Sequence, residues 1–129
     1  MAKKILVIDD DKMVLLTLKR LLVKEGYKVL VARSGDEAMK LLNEVGFECD
    51  LIISDLKMPG MTGVEAVRSI RQSLLKLGRV LIPEIIITGY AKEEIYQDAL
   101  KLNASAYIDK PFDMKPLLEA VHNLIERQE

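Results

Sequence analysis

Short runs of consecutive apolar residues alternate along this chain with longer stretches in which apolar residues recur every three or four positions. Short runs rich in β-branched residues are typical of strands buried on both faces, as in parallel sheets. Stretches with helical spacing that end at glycine or asparagine are typical of amphipathic helices. The pattern predicts strands around residues 5–8, 29–31, 51–53, 85–87 and 106–108, and helices over residues 12–25, 35–46, 64–77, 91–102 and 114–127.

Strict alternation of strands and helices predicts an α/β fold with a doubly wound parallel sheet and helices on both faces. The 129 residues contain no repeat or linker, so we expect a single domain over residues 1–129. One irregular segment, residues 79–83, brings apolar residues up to a Pro-Glu pair that is expected to break a strand. In such sheets ligands bind beyond the carboxyl ends of the strands, so the residues there should carry the chemistry.

The first helix has a predicted inner face and a predicted cap. The inner face consists of Val14, Leu18, Leu21 and Leu22. Asp11 precedes the helix, and we favour it as the N-cap over a role as additional negative charge at the strand end.

Composition narrows the classes of function. Half of the residues are hydrophobic and 30% are charged, which is typical of a folded globular protein rather than a disordered one. Nineteen basic and twenty acidic side chains give a net charge of −1, which disfavours direct binding of nucleic acid. Apolar runs are too short for membrane insertion or for a signal peptide, so we expect a cytoplasmic protein. The single cysteine, Cys49, excludes an internal disulfide.

Polar side chains follow four of the predicted strands. Asp9 and Asp10 follow the first strand, Asp55 the third, Thr88 the fourth and Lys110 the fifth. Parallel strands would bring these groups to one edge of the sheet, where crowded carboxylates favour Mg²⁺ or Ca²⁺. A carboxylate in such a site can attack a phosphoryl group, and Asp55 on the central strand is the best-placed nucleophile.

Several sequence motifs resemble the receiver domain of two-component response regulators, a family with a flavodoxin-like fold. They are Ile8-Asp9-Asp10, the stretch from Asp55 to Gly63, Thr88-Gly89 and Lys110-Pro111-Phe112. The resemblance covers nearly the whole chain, and the chain looks like a chemotaxis-type regulator. It implies the strand order 2-1-3-4-5 and phosphorylation of Asp55 by a phosphohistidine. The chain is a few residues longer than the family between Asp55 and Thr88, and we assign this excess to residues 79–83 at the amino-terminal edge.

The resemblance also implies a magnesium site. Asp10 and Asp55 would bind Mg²⁺ through their carboxylates, Lys57 would bind it through its backbone carbonyl, and Asp9 would bind it through water.

The same resemblance implies a conformational switch. Thr88 and Lys110 would bind the phosphoryl oxygens. Tyr107 would turn inward from solvent when Thr88 moves toward the phosphoryl group, which would change the surface of the fourth helix, fifth strand and fifth helix.

The expected partners are a sensor histidine kinase or a histidine phosphotransfer protein, together with a downstream target protein or an output domain outside this sequence. The chain would catalyse only its own phosphoryl transfer and the hydrolysis of its aspartyl phosphate. One alternative is a haloacid-dehalogenase-type phosphatase with Asp9 as its nucleophile, which lacks here the second acidic pair and the cap domain. Another alternative is a degenerate receiver that acts only as a docking module, which is disfavoured because the required side chains are present.

Overall fold

The structure, a computed structural model, describes residues 2–56, 63–89, 93–110 and 113–126. Within these ranges the elements in chain order are β1 (Lys4–Ile8), α1 (Lys12–Lys24), β2 (Lys28–Ala32), α2 (Gly35–Glu44), β3 (Leu51–Asp55), α3 (Gly63–Lys76), β4 (Glu84–Thr88), α4 (Glu93–Lys101), β5 (Ala106–Asp109) and α5 (Met114–Glu126). Each predicted strand and helix is confirmed, and the ends agree within two residues. The predicted helix ends at residues 91 and 127 lie outside the described residues.

The strands form one parallel sheet in the order β2-β1-β3-β4-β5, which confirms the predicted doubly wound α/β fold. Ile8 pairs with Ser54 between β1 and β3, and Thr88 pairs with Asp109 between β4 and β5. Because the strands are parallel and nearly in register, their carboxyl ends form a single edge of the sheet.

The hydrophobic core lies on both faces of the sheet, because successive side chains of a strand point to opposite faces. The face covered by α1 and α5 carries Ile5, Val7, Leu51, Ile53, Ile85 and Ile87. The opposite face, covered by α2, α3 and α4, carries Leu6, Ile8, Ile52 and Ile86. These strand residues are all at most 1% exposed. A sheet buried on both faces gives the residues at its edge a rigid support.

The structure corrects the predicted inner face of α1. Its fully buried residues are Leu15, Leu18 and Leu22. Val14 and Leu21, which were predicted to face the core, are only partly buried, although Val14 packs against the core. Apolar residues occupy four consecutive positions from Met13 to Leu16, so helical spacing alone does not define one face. The Asp11 carboxylate accepts hydrogen bonds from two main-chain amides in the first turn of α1, which confirms it as the N-cap.

Residues 79–83 connect α3 to β4 at the amino-terminal edge of the sheet, as predicted. The expectation that the Pro-Glu pair breaks the strand is wrong for Glu84, which is the buried first residue of β4. Arg71 of α3 donates hydrogen bonds from Nε and Nη2 to the two carboxylate oxygens of Glu84, at 2.8 and 2.6 Å. A buried carboxylate is tolerated when it is paired in this way. The same arginine donates from Nη1 to the carbonyl oxygen of Leu102, just past α4, at 2.8 Å.

Candidate functional site

Three carboxylates meet at the carboxyl edge of the sheet. Asp55 is the last residue of β3, and Asp9 and Asp10 directly follow β1. One carboxylate oxygen from each of the three lies within 4.8 Å of the others. Asp9 and Asp55 are 1% and 6% exposed, and Asp10 is half-buried. The structure therefore brings together the three acidic residues that the sequence predicted to converge.

Lys110 brings a positive charge to this cluster. It follows β5, and its Nζ lies 3.1 Å from Oδ1 of Asp55 and 3.8 Å from Oδ2 of Asp9. Burial opposes the charged form of the lysine, but the bond to Asp55 and the surrounding carboxylates outweigh it and raise the pKa of Lys110. Gly89 leaves space for this side chain, because a Cβ at that position would lie 2.8 Å from Cβ of Lys110.

The carboxylates are held in an environment that opposes their charge. Burial, together with the neighbouring Asp55 and Asp10 charges, raises the pKa of Asp9 to about 6, although the main-chain amide of Asp11 and the Lys110 ammonium oppose the change. Burial is also the largest cause of a raised pKa at Asp55. These shifts are typical of carboxylates that are buried close to other carboxylates.

The residues present fit a hard divalent cation. Oδ1 of Asp9 accepts a hydrogen bond from the Asp11 amide at 2.9 Å. Oδ2 is buried and accepts no hydrogen bond from the part of the chain that the structure describes. An oxygen of this kind beside two further carboxylates is the donor set that Mg²⁺ prefers. Lys57, whose backbone carbonyl was predicted as a further ligand, lies outside the described residues, so that ligand stays a prediction.

The main chain after β3 is held closely against the neighbouring elements. The amide of Leu56 donates to the carbonyl oxygen of Ile87 in β4 at 2.9 Å, and the amide of Gly63 donates to the carbonyl oxygen of Leu56 at 2.9 Å. A Cβ at Gly63 would lie 2.1 Å from the carbonyl oxygen of Asp55. Gly63 therefore permits α3 to begin directly against the residue that carries the central carboxylate. The sequence places Gly63 in a motif but does not indicate this close approach, which depends on the position of α3.

Thr88 ends β4, next to the strand that carries Asp55, and is 4% exposed. Its hydroxyl oxygen Oγ1 donates a hydrogen bond to Oδ1 of Asp109 at 2.5 Å. Asp109 was not among the predicted site residues. The sequence signal that could have identified it is the pairing of the last residues of β4 and β5, which follows once the sheet order is known.

Tyr107 lies in β5, on the face of the sheet that α4 covers. Its half-buried ring packs against a cluster of apolar residues there, and its hydroxyl is fully engaged with the main chain at the end of α4. The hydroxyl donates to the carbonyl oxygen of Ala99 at 2.6 Å and accepts from the amide of Ala104 at 2.9 Å. The predicted inward movement of Tyr107 stays a prediction, and the structure gives the contacts that such a movement would change.

A family model, curated relatives and solved structures all match this chain to the same family. The family model "Response regulator receiver domain" matches residues 5–122. The transcriptional regulatory protein CpxR of Klebsiella pneumoniae is 33% identical over 124 residues, which is 96% of this chain and 50% of CpxR. The chain thus spans about half the length of the curated relatives that it matches.

Solved structures of similar proteins share the whole fold. A response regulator receiver domain protein from Clostridium thermocellum is 33% identical, with a TM-score of 0.83 over 98% of this chain and 96% of that chain. The chemotaxis protein CheY4 of Vibrio cholerae is 30% identical, with a TM-score of 0.81 over 96% of this chain and 99% of that chain. Among the described residues, no helix combines the length and the apolar character needed to cross a membrane.

Proposed function

The chain belongs to the response regulator receiver domain family, and on that premise we propose that it is a phosphorylation-activated switch whose phosphoryl acceptor is Asp55. The observation that carries the proposal is the position of the Asp55 carboxylate. It lies on the central strand, within 4.8 Å of oxygens of Asp9 and Asp10 and 3.1 Å from Nζ of Lys110. We propose that the whole chain, residues 1–129, works as one receiver unit.

The phosphoryl donor is a phosphohistidine on a sensor histidine kinase or a histidine phosphotransfer protein. A carboxylate oxygen of Asp55 attacks the phosphorus atom, the P–N bond breaks, and the imidazole nitrogen leaves with the electron pair and takes up a proton. The product is an acyl phosphate on Asp55, and attack of water on phosphorus later returns the carboxylate and inorganic phosphate. The chain performs no other reaction in this proposal.

The ammonium of Lys110 provides positive charge where negative charge accumulates. In the resting state it is paired with Oδ1 of Asp55 at 3.1 Å. Once the Asp55 carboxylate carries the phosphoryl group, the ammonium is placed to bind a phosphoryl oxygen, so the same group stabilises the acceptor and the product. The surrounding carboxylates, which outweigh the effect of burial on the pKa of Lys110, keep the lysine charged in the resting state.

Mg²⁺ would be held by the carboxylates of Asp10 and Asp55, by the backbone carbonyl of Lys57, and through water by Asp9. When bound, Mg²⁺ would neutralise the charge of the crowded carboxylates and of the phosphoryl oxygens. Oδ2 of Asp9, which is buried and accepts no hydrogen bond from the described residues, supports this assignment.

Thr88 and Tyr107 convert the chemical step into a change of surface. The Thr88 hydroxyl turns from its resting partner to a phosphoryl oxygen, which changes the space beside β4. Tyr107 then repacks, and its bonds to Ala99 and Ala104 carry the change to α4. The altered surface of α4, β5 and α5 is recognised by a downstream target protein or by an output domain. We propose that the protein works in the cytoplasm, without direct contact with nucleic acid and without membrane insertion.

Incubation with acetyl phosphate and Mg²⁺, followed by intact mass measurement and peptide mapping, tests the acceptor. We expect one phosphoryl group per chain on Asp55, no labelling of Asp55→Asn, and normal labelling of Asp113→Asn, which removes an exposed carboxylate outside the cluster. Labelling of Asp9 would instead support the phosphatase alternative. A chain that is never labelled yet binds a kinase would support the docking-module alternative.

A further inference from the structure

The hydrogen bond between Thr88 and Asp109 joins the last residues of β4 and β5. Oγ1 of Thr88 lies 2.5 Å from Oδ1 of Asp109, and the two residues are register partners in the sheet. The main chain beside them is also tied, because the amide of Lys110 donates to the carbonyl oxygen of Thr88 at 2.5 Å. Thr88 is 4% exposed, whereas Asp109 is exposed. The two side chains therefore meet at the rim of the site, on a fixed backbone.

A threonine hydroxyl has one proton to donate. In this structure that proton is directed to a carboxylate, and hydrogen bonds to ionised acceptors are shorter and about twice as strong as neutral ones. A phosphoryl oxygen on Asp55 would need the same proton. Rotation of the Thr88 side chain changes the partner of the hydroxyl and leaves the main-chain bond between Lys110 and Thr88 intact. Asp109 and the phosphoryl group are thus competitors for a single donor.

We propose that Asp109 is a positioning residue that holds the Thr88 hydroxyl in the resting orientation and so opposes the switch until Asp55 is phosphorylated. The inference rests on the proposed function. Breaking the Thr88–Asp109 bond would then reduce the net free energy of phosphoryl binding. A ligand shifts an equilibrium only by its difference in affinity for the two states, so removing the competitor strengthens binding of any phosphoryl group or mimic at Asp55.

Electrostatic repulsion is the competing explanation for such an effect, because Asp109 adds negative charge near the phosphoryl group. Repulsion acts whether or not the Thr88 hydroxyl is present, whereas competition for its proton requires the hydroxyl. A double-mutant cycle with Thr88→Ala therefore separates the two explanations.

The test measures the affinity of the protein for beryllofluoride, a phosphoryl mimic, in the presence of Mg²⁺, by fluorine NMR of the bound species. We expect Asp109→Ala to tighten binding about threefold to tenfold, as the loss of one competing hydrogen bond predicts. Asp109→Asn, which keeps the shape and a weaker acceptor, should give a smaller gain and serves if the alanine variant folds poorly. Asp113→Ala removes an exposed carboxylate four residues further along the chain and should leave the affinity unchanged.

In the Thr88→Ala background, Asp109→Ala should have no effect on the affinity for beryllofluoride. An unchanged affinity for both Asp109 variants in the presence of Thr88 would overturn the inference, and so would an equal gain with and without the threonine hydroxyl. Failure of the proposed function gives a different result, namely no binding of beryllofluoride to the original protein or binding that survives Asp55→Ala.

Discussion

Replacing Asp9 with asparagine should stabilise the metal-free protein at neutral pH. Burial beside Asp55 and Asp10 raises the pKa of Asp9 from 3.8 to about 6, so the charged form is disfavoured in the folded state. A difference of about 2 pKa units corresponds to about 3 kcal/mol at pH 7, which is the upper value of the expected gain. Asparagine can keep the acceptor that the Asp11 amide uses, and it places a neutral amide where Oδ2 now lies.

The gain in stability from Asp9→Asn should depend on pH. Because the folded pKa is higher than the unfolded one, the folded chain binds more protons between pH 4 and pH 6, and its stability falls as the pH rises through that range. The destabilisation is fully present above pH 6 and absent below about pH 4. The advantage of Asp9→Asn over the original protein should therefore be largest at pH 7 to 8 and should disappear toward pH 4.

Urea denaturation in EDTA at a series of pH values measures this difference, and Asp113→Asn is the matched control because it neutralises an exposed carboxylate. Addition of Mg²⁺ should reverse the order, since the original protein gains stability from a ligand that the variant binds less well. A variant that is less stable than the original protein in EDTA at pH 7, or an advantage that does not change between pH 4 and pH 8, would refute the reasoning.

Three further substitutions test the support of the site. Gly63→Ala should destabilise the protein by about 2 kcal/mol and slow labelling of Asp55 by acetyl phosphate, because the new Cβ would lie 2.1 Å from the Asp55 carbonyl oxygen; normal labelling and stability would contradict this. Arg71→Ala should cost about 3 kcal/mol in urea denaturation because it leaves the Glu84 carboxylate buried without its partner, and adding Glu84→Gln should recover part of that loss. Tyr107→Phe should cost about 1 to 2 kcal/mol and speed hydrogen exchange at the amide of residue 104, which loses its acceptor; unchanged exchange would show that this bond does not persist in solution.

Local patterns predicted the elements well where one physical requirement dominates. A run such as Ile85-Ile86-Ile87 suits a strand buried on both faces, and Asp11 suits the first turn of a helix. Asn103, just past α4, adopts the left-handed conformation that asparagine tolerates, with a φ of 52°. Phe47 has a φ of 60° and is buried, which its side chain did not indicate, because an aromatic residue rarely takes this conformation without tertiary packing.

The acidic cluster could be predicted because topology alone brings the ends of parallel strands together. Contacts that depend on strand register and side-chain rotamer could not be predicted from the sequence. The Thr88–Asp109 bond requires the pairing of β4 with β5, and the burial of Glu84 in β4 requires an arginine on α3. In the sequence, Asp109 and Glu84 look like ordinary polar residues, because their partners Thr88 and Arg71 are 21 and 13 positions away.

The attachment of α4 determines the kind of motion that this helix can make. Its carboxyl-terminal end is fastened by Tyr107 from β5, through Ala99 and Ala104, and by Arg71 from α3, through Leu102. A displacement of the amino-terminal end of α4 that leaves these bonds intact is a rotation about the carboxyl-terminal end. With a rise of about 1.5 Å per residue over the length of α4, a tilt of about 10° displaces the opposite end by about 2 Å. Such a rotation moves the end that the chain enters from Thr88 the most, because that end lies farthest from the bonds at the amino-terminal edge of the sheet.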